Sequence, residues 1–158
     1  MRIPLVSDIH ANLAALDAVL LDASAAGADT PPWVLGDIVG YGPDPNEVVT
    51  RLRELSATAV AGNHDLAAAG QIGVAEFNPL AETAVRWTSR VLDDESRTYL
   101  SSLPTRLERE GFTRVHGSPR DPVWEYLTSV EAVIENLQHF TTQACLFGHT
   151  HNPRVVVA

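Results

Sequence analysis

The run Ala57-Thr58-Ala59-Val60-Ala61-Gly62-Asn63-His64-Asp65 decides how the chain is read. Its first five residues are short and mostly apolar, which predicts a buried strand. Its last four set an amide, an imidazole and a carboxylate behind a glycine, a residue that can take backbone angles closed to others. A corner between two elements does not need Asn, His and Asp side by side. The stretch therefore asks whether other strand ends supply partners for them.

Upstream, Ile3 to Ser7 predicts a strand closed by Asp8-Ile9-His10. Asn12 to Ala26 carries Leu13, Leu16, Val19 and Leu20 at helical spacing and stops at Gly27. Trp33 to Leu35 predicts a second strand, ended by Gly36-Asp37 and followed by the loop Gly40-Tyr41-Gly42-Pro43. Asp44-Pro45-Asn46-Glu47 is a helix start, with Asp as N-cap, Pro at the first position and Glu closing a capping box; the helix runs to about Leu55. With the strand at 57–61 this makes a βαβαβ unit on a parallel sheet, where ligands gather beyond the carboxyl ends of the strands.

Downstream, Asn78 and Pro79 open a helix predicted to gather Leu80, Ala84, Trp87 and Val91 on one face, and Asp94 to Leu103 predicts another. Thr105 to Glu110 and Phe112 to Val115 flank Gly111 as a hairpin, with His116 after it. Ser129 to Phe140 predicts a helix burying Val130, Val133, Ile134 and Leu137. Ala144 to Phe147 reads as a strand running into Gly148-His149-Thr150-His151, and Val155 to Ala158 as the start of one more. Trp33, Trp87 and Trp124 read as core, Cys145 as a buried strand residue, and His139 as structural or exposed.

Composition narrows the classes. A chain of 158 residues suits one domain with a core. All eleven basic residues are arginine, so no lysine can serve as nucleophile, base or phosphate clamp. The net charge of −9 argues against a nucleic-acid polymer as partner, since that requires a basic face. One cysteine cannot form an internal disulfide, which fits a reducing compartment. No stretch has signal-peptide or membrane-spanning character, and a cytoplasmic protein is expected.

Eight polar residues fall at strand ends: Asp8, His10, Asp37, Asn63, His64, His116, His149 and His151. Each alone is explained as a turn residue, a cap or a hydrogen-bonded histidine. Together they form a set of nitrogen and oxygen donors on one sheet edge, and divalent metals account for the mixture. Asp8 and His10 are two apart, so an extended backbone points both to one side, where they can share an ion. Mixed His and carboxylate donors suit Mn, Fe, Zn, Ni or Co better than Ca or Mg. The set is too large for one ion with an open position. Two ions sharing a carboxylate, about 3.5–4 Å apart, would use it and leave a positive centre that attracts a phosphoryl group.

These motifs resemble those of the calcineurin-like metallophosphoesterase superfamily, which run D-x-H, G-D, G-N-H-D or G-N-H-E, H, and G-H-x-H. Here they are Asp8-Ile9-His10, Gly36-Asp37, Gly62-Asn63-His64-Asp65, His116 and Gly148-His149-Thr150-His151. Ser7 to Asn12 and His116 to Pro122 resemble a compact bacterial phosphodiesterase-like group within it. The resemblance implies an α/β fold, a four-layer αββα sandwich of two mixed β-sheets, over a single domain at 1–158 that lacks the family's usual C-terminal strands. It implies two divalent transition-metal ions, Mn first. Asp8, His10 and His151 would hold one ion, Asn63, His116 and His149 the other, and Asp37 would bridge. Spacing alone would instead put His149 and His151 on the same ion. A hydroxide held between the ions would attack phosphorus in line, with His64 assisting the leaving group and Asp65 orienting its ring.

The loop after Asp37 lacks the arginine that serine/threonine phosphatases and symmetrical dinucleoside tetraphosphatases of this superfamily carry, which favours a small phosphodiester as substrate. Arg120 and Arg154 are the arginines nearest the motifs, and Asn12 and Tyr41 adjoin ligands; all four are candidate substrate contacts. The alternatives are a silent scaffold of the same fold and a phosphomonoesterase. An uncovered sheet edge would favour a homo-oligomer.

Overall fold

The computed structural model describes residues 2–157. Strand β1 (Leu5–Val6) leads through helix α1 (Leu13–Ala25) to β2 (Trp33–Val34), then through α2 (Pro45–Glu54) to β3 (Thr58–Ala59). These three strands form a parallel sheet in the order β1-β2-β3, as the βαβαβ reading requires. The ladder carries on past the short strands: Leu35 N–H donates to Val6 O at 2.9 Å and Val60 N–H to Val34 O at 3.0 Å.

Helix α3 (Asn63–Ala68) follows β3 at once, so the Gly62-Asn63-His64-Asp65 stretch opens a helix. The signal for it is Asp65, whose Oδ2 accepts the Gly62 N–H at 2.9 Å, the acidic half of a capping box. Then come α4 (Pro79–Val91) and α5 (Asp94–Ser102). The second sheet is mixed: β4 (Arg106–Arg109) is antiparallel to β5 (Phe112–Val115), and β5 is parallel to β6 (Ala144–Leu146). Between β5 and β6 lies α6 (Val130–Asn136), continued by a 3₁₀ turn at Leu137–His139. The result is an α/β sandwich of two sheets flanked by helices. The sheets meet at Trp33, which packs edge-on against Phe112 at 5.5 Å and carries the Arg114 guanidinium 3.4 Å above its ring.

The core under the first sheet consists of Leu16, Val34, Ile38, Val39, Val48, Val49, Leu52 and Leu100. Burial of these side chains, at ~1.5–3 kcal/mol for each large one, is what holds the strand ends in place. Four expectations fail. At the start of α2, Asp44 is the N-cap and Pro45 the first helical residue, but no side-chain capping hydrogen bond forms. Helix α4 buries Ala81, Val85 and Thr88, while Leu80, Trp87 and Val91 face solvent, so the true stripe is offset by one position. The small residues win because α4 lies close against α3. Helix α6 leaves Val130, Ile134 and Leu137 exposed and buries Asn136, whose amide donates to Glu125 and Ala132 O and accepts from Arg120 N–H. A polar anchor that satisfies a loop outranks the apolar stripe here. Residues 155–157 form no strand; Ala158, the end of that expected strand, lies outside the described residues. Among the described residues no helix is long and apolar enough to cross a membrane.

Candidate metal centre

The site is built where three strand-end loops lock together. Asp8 N–H donates to Gly36 O at 3.1 Å, His10 N–H to Asp37 O at 2.9 Å, and Ala11 N–H to Ile38 O at 2.9 Å. From the other sheet, Gly148 N–H donates to His116 O at 2.9 Å, and His149 N–H donates to Asp8 Oδ1 at 3.1 Å. The carboxyl edges of both sheets thus converge on one point.

Gly62 is needed for approach rather than for unusual angles. Its φ is −95° and ψ 177°, an ordinary extended conformation, but any Cβ there would collide with Asp37 Oδ1. The unusual angles belong to the ligands. Asp8, His10, Asp37, His149 and His151 all have positive φ, between 50° and 65°. Such left-handed residues cost on the order of 1–3 kcal/mol each and cluster at functional sites. This also answers the spacing of His149 and His151, whose backbone is not extended.

Asp37 sits at the centre, 2% exposed. Its Oδ1 accepts the His64 N–H at 3.0 Å, and its Oδ2 lies 3.2 Å from His116 Nε2 and 3.8 Å from His10 Nε2. Three groups bring ligand atoms within 4.8 Å of one another: Asp8, His10 and His151; His10, Asp37 and His64; and Asp37, His116 and His149. Two of them share Asp37, which makes a binuclear arrangement.

The imidazoles are turned for metal. His116 Nδ1 donates to Leu35 O at 2.8 Å, His10 Nδ1 to Val39 O at 3.3 Å, and His149 Nε2 to Trp124 O at 3.3 Å. A carbonyl can only accept, so each ring carries a proton on that side and, when the ring is neutral, presents a lone pair on the other. Those free nitrogens crowd together: His116 Nε2 is 3.0 Å from His149 Nδ1, and His10 Nε2 is 3.1 Å from His151 Nε2. Asn63 Oδ1 is buried with no hydrogen-bond partner. With the rings neutral, lone pairs facing lone pairs, an orphaned amide oxygen and a central carboxylate fit divalent cations, which take the place that the His116 Nε2 proton holds without metal.

Electrostatics follow from burial. Desolvation pulls His116 down, but the charge and hydrogen bond of Asp37 outweigh it and lift the imidazole to about 9. Burial likewise pushes Asp37 up, and His116, followed by His64 and His10, pulls it below the usual carboxylate range. His64 and His149 are each pushed down by burial, to about 4. Asp65 is raised to about 7 by burial and then by Asp37, against the backbone N–H groups of Gly62, Val39 and Ile38, which favour its anion.

The remaining expected residues are placed as follows. Asp65 accepts from Val39 N–H at 3.0 Å and from Gly62 N–H, so both oxygens serve backbone and neither reaches the His64 ring. His64 Nδ1 is buried without a partner. Asn12 Oδ1 caps α1 by accepting from Ala15 N–H at 3.0 Å. Arg120 is engaged by Glu125 and Glu135, and Arg154 donates to Thr128 O at 2.7 Å. Neither arginine lines the cleft over the centre, a space of about 260 Å³ bounded by Asp37, Tyr41, Asn63, His64, Tyr126, His149, Thr150 and His151. Tyr126 was not legible as a site residue. It stacks on His149 with ring centroids 3.7 Å apart, and nothing in its sequence neighbourhood announces this.

Comparison with known proteins agrees with this geometry. An uncharacterised protein of Methanocaldococcus jannaschii is 37% identical over 158 residues, covering 97% of this chain and 63% of that protein. The crystal structure of a metallophosphoesterase from Sphaerobacter thermophilus superimposes with a TM-score of 0.83 at 49% identity, covering 96% of this chain and 61% of that one. A symmetrical bis(5′-nucleosyl)-tetraphosphatase of Vibrio campbellii is 29% identical over 143 residues, 85% of this chain and 53% of that enzyme. The chain thus spans less than two thirds of the length of these relatives. Over residues 1–158 the sequence matches the family described as the calcineurin-like phosphoesterase superfamily domain, and with its binuclear donor set the chain belongs to that superfamily.

Proposed function

We propose that the chain hydrolyses phosphate esters at a two-ion centre, with small phosphodiesters as preferred substrates. The observation that carries this reading is the tautomer pattern: His10, His116 and His149 each give one nitrogen to a backbone carbonyl and turn the other inward. Asp8, His10 and His151 would hold one cation, Asn63, His116 and His149 the other, and Asp37 would bridge. Manganese is proposed first, with iron, zinc, nickel or cobalt as alternatives for the same mixed donors. Bound there, divalent cations supply positive charge for the phosphoryl group and a water-derived nucleophile at neutral pH.

The chain's own residues supply the rest. His64 is buried and neutral, with a side chain facing the cleft, so its ring can steady developing charge or, after taking up a proton from solvent, pass it to the leaving oxygen. Asp65 acts at one remove, capping α3 and holding Val39 so that His64 stays in place. No arginine lines the cleft among the described residues, so attraction for phosphate rests on the ions. The cytoplasm is the proposed compartment, supported by the single free thiol of Cys145. Self-association along the outer edge of β6, which pairs only with β5 among the described residues, belongs to the same reading.

The test is a substrate panel with the protein loaded with Mn²⁺ and, in parallel, stripped with chelator. Bis-p-nitrophenyl phosphate should turn over faster than p-nitrophenyl phosphate, and only in the loaded protein. A phosphopeptide turned over fastest would point to a phosphomonoesterase. A symmetrical dinucleoside tetraphosphate belongs in the panel because of the Vibrio campbellii relative, although the loop after Asp37 lacks an arginine. No turnover of any substrate with two ions bound would sink the hydrolase reading in favour of a scaffold.

A further inference from the structure

Two tyrosines flank the cleft, and the ligand arrangement does not account for either. Tyr41 is 44% exposed and Tyr126 is 53% exposed, yet both line the space over the ions' ligands. Tyr41 packs on the His10 ring at 4.8 Å and on the His64 ring at 4.6 Å. Tyr126 stacks on His149 at 3.7 Å with only 25° between the planes. One ring therefore stands on the His10/His64 side of the centre and the other on the His149 side. Neither phenol has a hydrogen-bond partner among the described residues.

Tyr41 is also held under strain. Its φ is 62°, in a loop between two glycines, and a bulky residue there is a genuine outlier. A turn alone would be better served by glycine or asparagine. The strain puts a half-exposed aromatic ring at the mouth of a charged cleft. Aromatic faces in such a place can take a flat ring by stacking, regardless of its hydrogen-bonding edges. The size of the cleft limits what fits. About 260 Å³ lies below the range of drug-sized pockets, room for a phosphoryl group and one ring.

We propose that Tyr41 and Tyr126 form an aromatic subsite that selects phosphate esters carrying a flat aromatic group, aryl or nucleobase, near the phosphorus. This rests on the cleft being a phosphate-ester site, and it adds the substrate class. The two residues are specificity determinants and take no part in bond breaking.

The experiment separates this proposal from hydrolysis itself. Calorimetry on the Mn²⁺-loaded chain compares phenylphosphonate with methylphosphonate, and thymidine 5′-phosphate with ethyl phosphate. Stacking on one or two rings predicts about tenfold tighter binding of the aromatic member of a pair. A preference in the first pair alone assigns the subsite to simple aryl groups; a preference in both admits nucleobases. In Tyr41→Ala and Tyr126→Ala the aromatic preference should shrink toward one, and in Tyr41→Phe and Tyr126→Phe it should persist, since the ring is kept. In parallel, methyl, phenyl and thymidine 5′-esters of p-nitrophenyl phosphate, which share one leaving group, should show the same ranking in kcat/KM, carried by KM. Binding preference without turnover would retire the hydrolase reading and keep the subsite. Equal binding within both pairs by the wild-type chain, or a preference unchanged in both alanine variants, would overturn the subsite.

Discussion

His116 is fully enclosed while His151 is 55% exposed, although both are read as ligands in one centre. Around His116, Asp37 and His149 every ring is fixed by a backbone carbonyl, and Asn63 is enclosed with them. On the other side Asp8 is partly exposed, and among the described residues the His151 ring meets only Asp8 and His10. One half is preorganised inside the protein; the other closes over solvent. The difference teaches that two ions in one centre need not be held alike. The enclosed half should bind tightly and exchange slowly, and the open half should fill last and empty first.

The largest effect should come from erasing the distinction. Asp37→Asn removes the carboxylate that both halves use, so metal analysis should find both ions lost. Turnover should then fall by at least about a thousandfold, the equivalent of ~4 kcal/mol. Next, His64→Asn should lower kcat by about a hundredfold while the metal content stays at two, since His64 is assigned to the substrate. Full activity in that variant would remove His64 from the chemistry.

A paired substitution tests the two halves directly. His151→Ala should leave one ion in place after dialysis against a weak chelator, with the melting temperature unchanged within about 1 °C. His116→Ala should lose the retained ion and leave the Leu35 carbonyl with only the long 3.4 Å contact from Ser7 Oγ, costing about 1–3 kcal/mol and lowering Tm by about 5 °C. Equal melting temperatures and equal ion losses would erase the comparison.

The smallest effect is in pH. His116 is lifted to about 9, so the stability it contributes without metal is full below about pH 6.5 and is lost as pH rises through 9. His64 and His149 are held near 4, so their neutral forms favour folding only while pH stays high, and that contribution is lost as pH falls from about 6.5 to 4. Metal-free Tm should therefore fall by a few degrees on either side of neutrality. Saturation with Mn²⁺, which displaces the His116 proton, should flatten the limb between pH 7 and 9.

Much of this was legible in sequence because strand ends and ligands coincide. Asp8, Asp37, His116 and His149 each follow a short apolar run; the first two runs belong to the parallel sheet and the last two are the parallel pair β5 and β6 of the mixed sheet. What escaped depends on contacts between distant segments. Gly62 was read for its angles, whereas the close approach of Asp37 is what requires it. Asp65 was assigned to the His64 ring, but a helix start at Asn63 and a loop at Val39 claim both its oxygens. The faces of α4 and α6 were misread because apolar spacing identifies a stripe without saying what lies opposite. Tyr126 reaches the centre through a loop whose Trp124 carbonyl accepts from His149 Nε2, two residues before it.

The left-handed ligands carry a consequence for altering the metal preference. Asp, Asn and His are the non-glycine residues that best tolerate positive φ, and Asp and His fill all five such ligand positions. Donor identity and backbone shape are thus chosen by the same side chain. Exchanging Asp8 for Glu or His10 for Cys would keep a donor of usable chemistry but sacrifice conformational tolerance at that step. Asp-to-Asn exchanges change charge and spare the main chain. Metal selectivity in this protein is therefore more open to adjustment through ligand charge than through ligand type, and the routes along which it can diverge are correspondingly few.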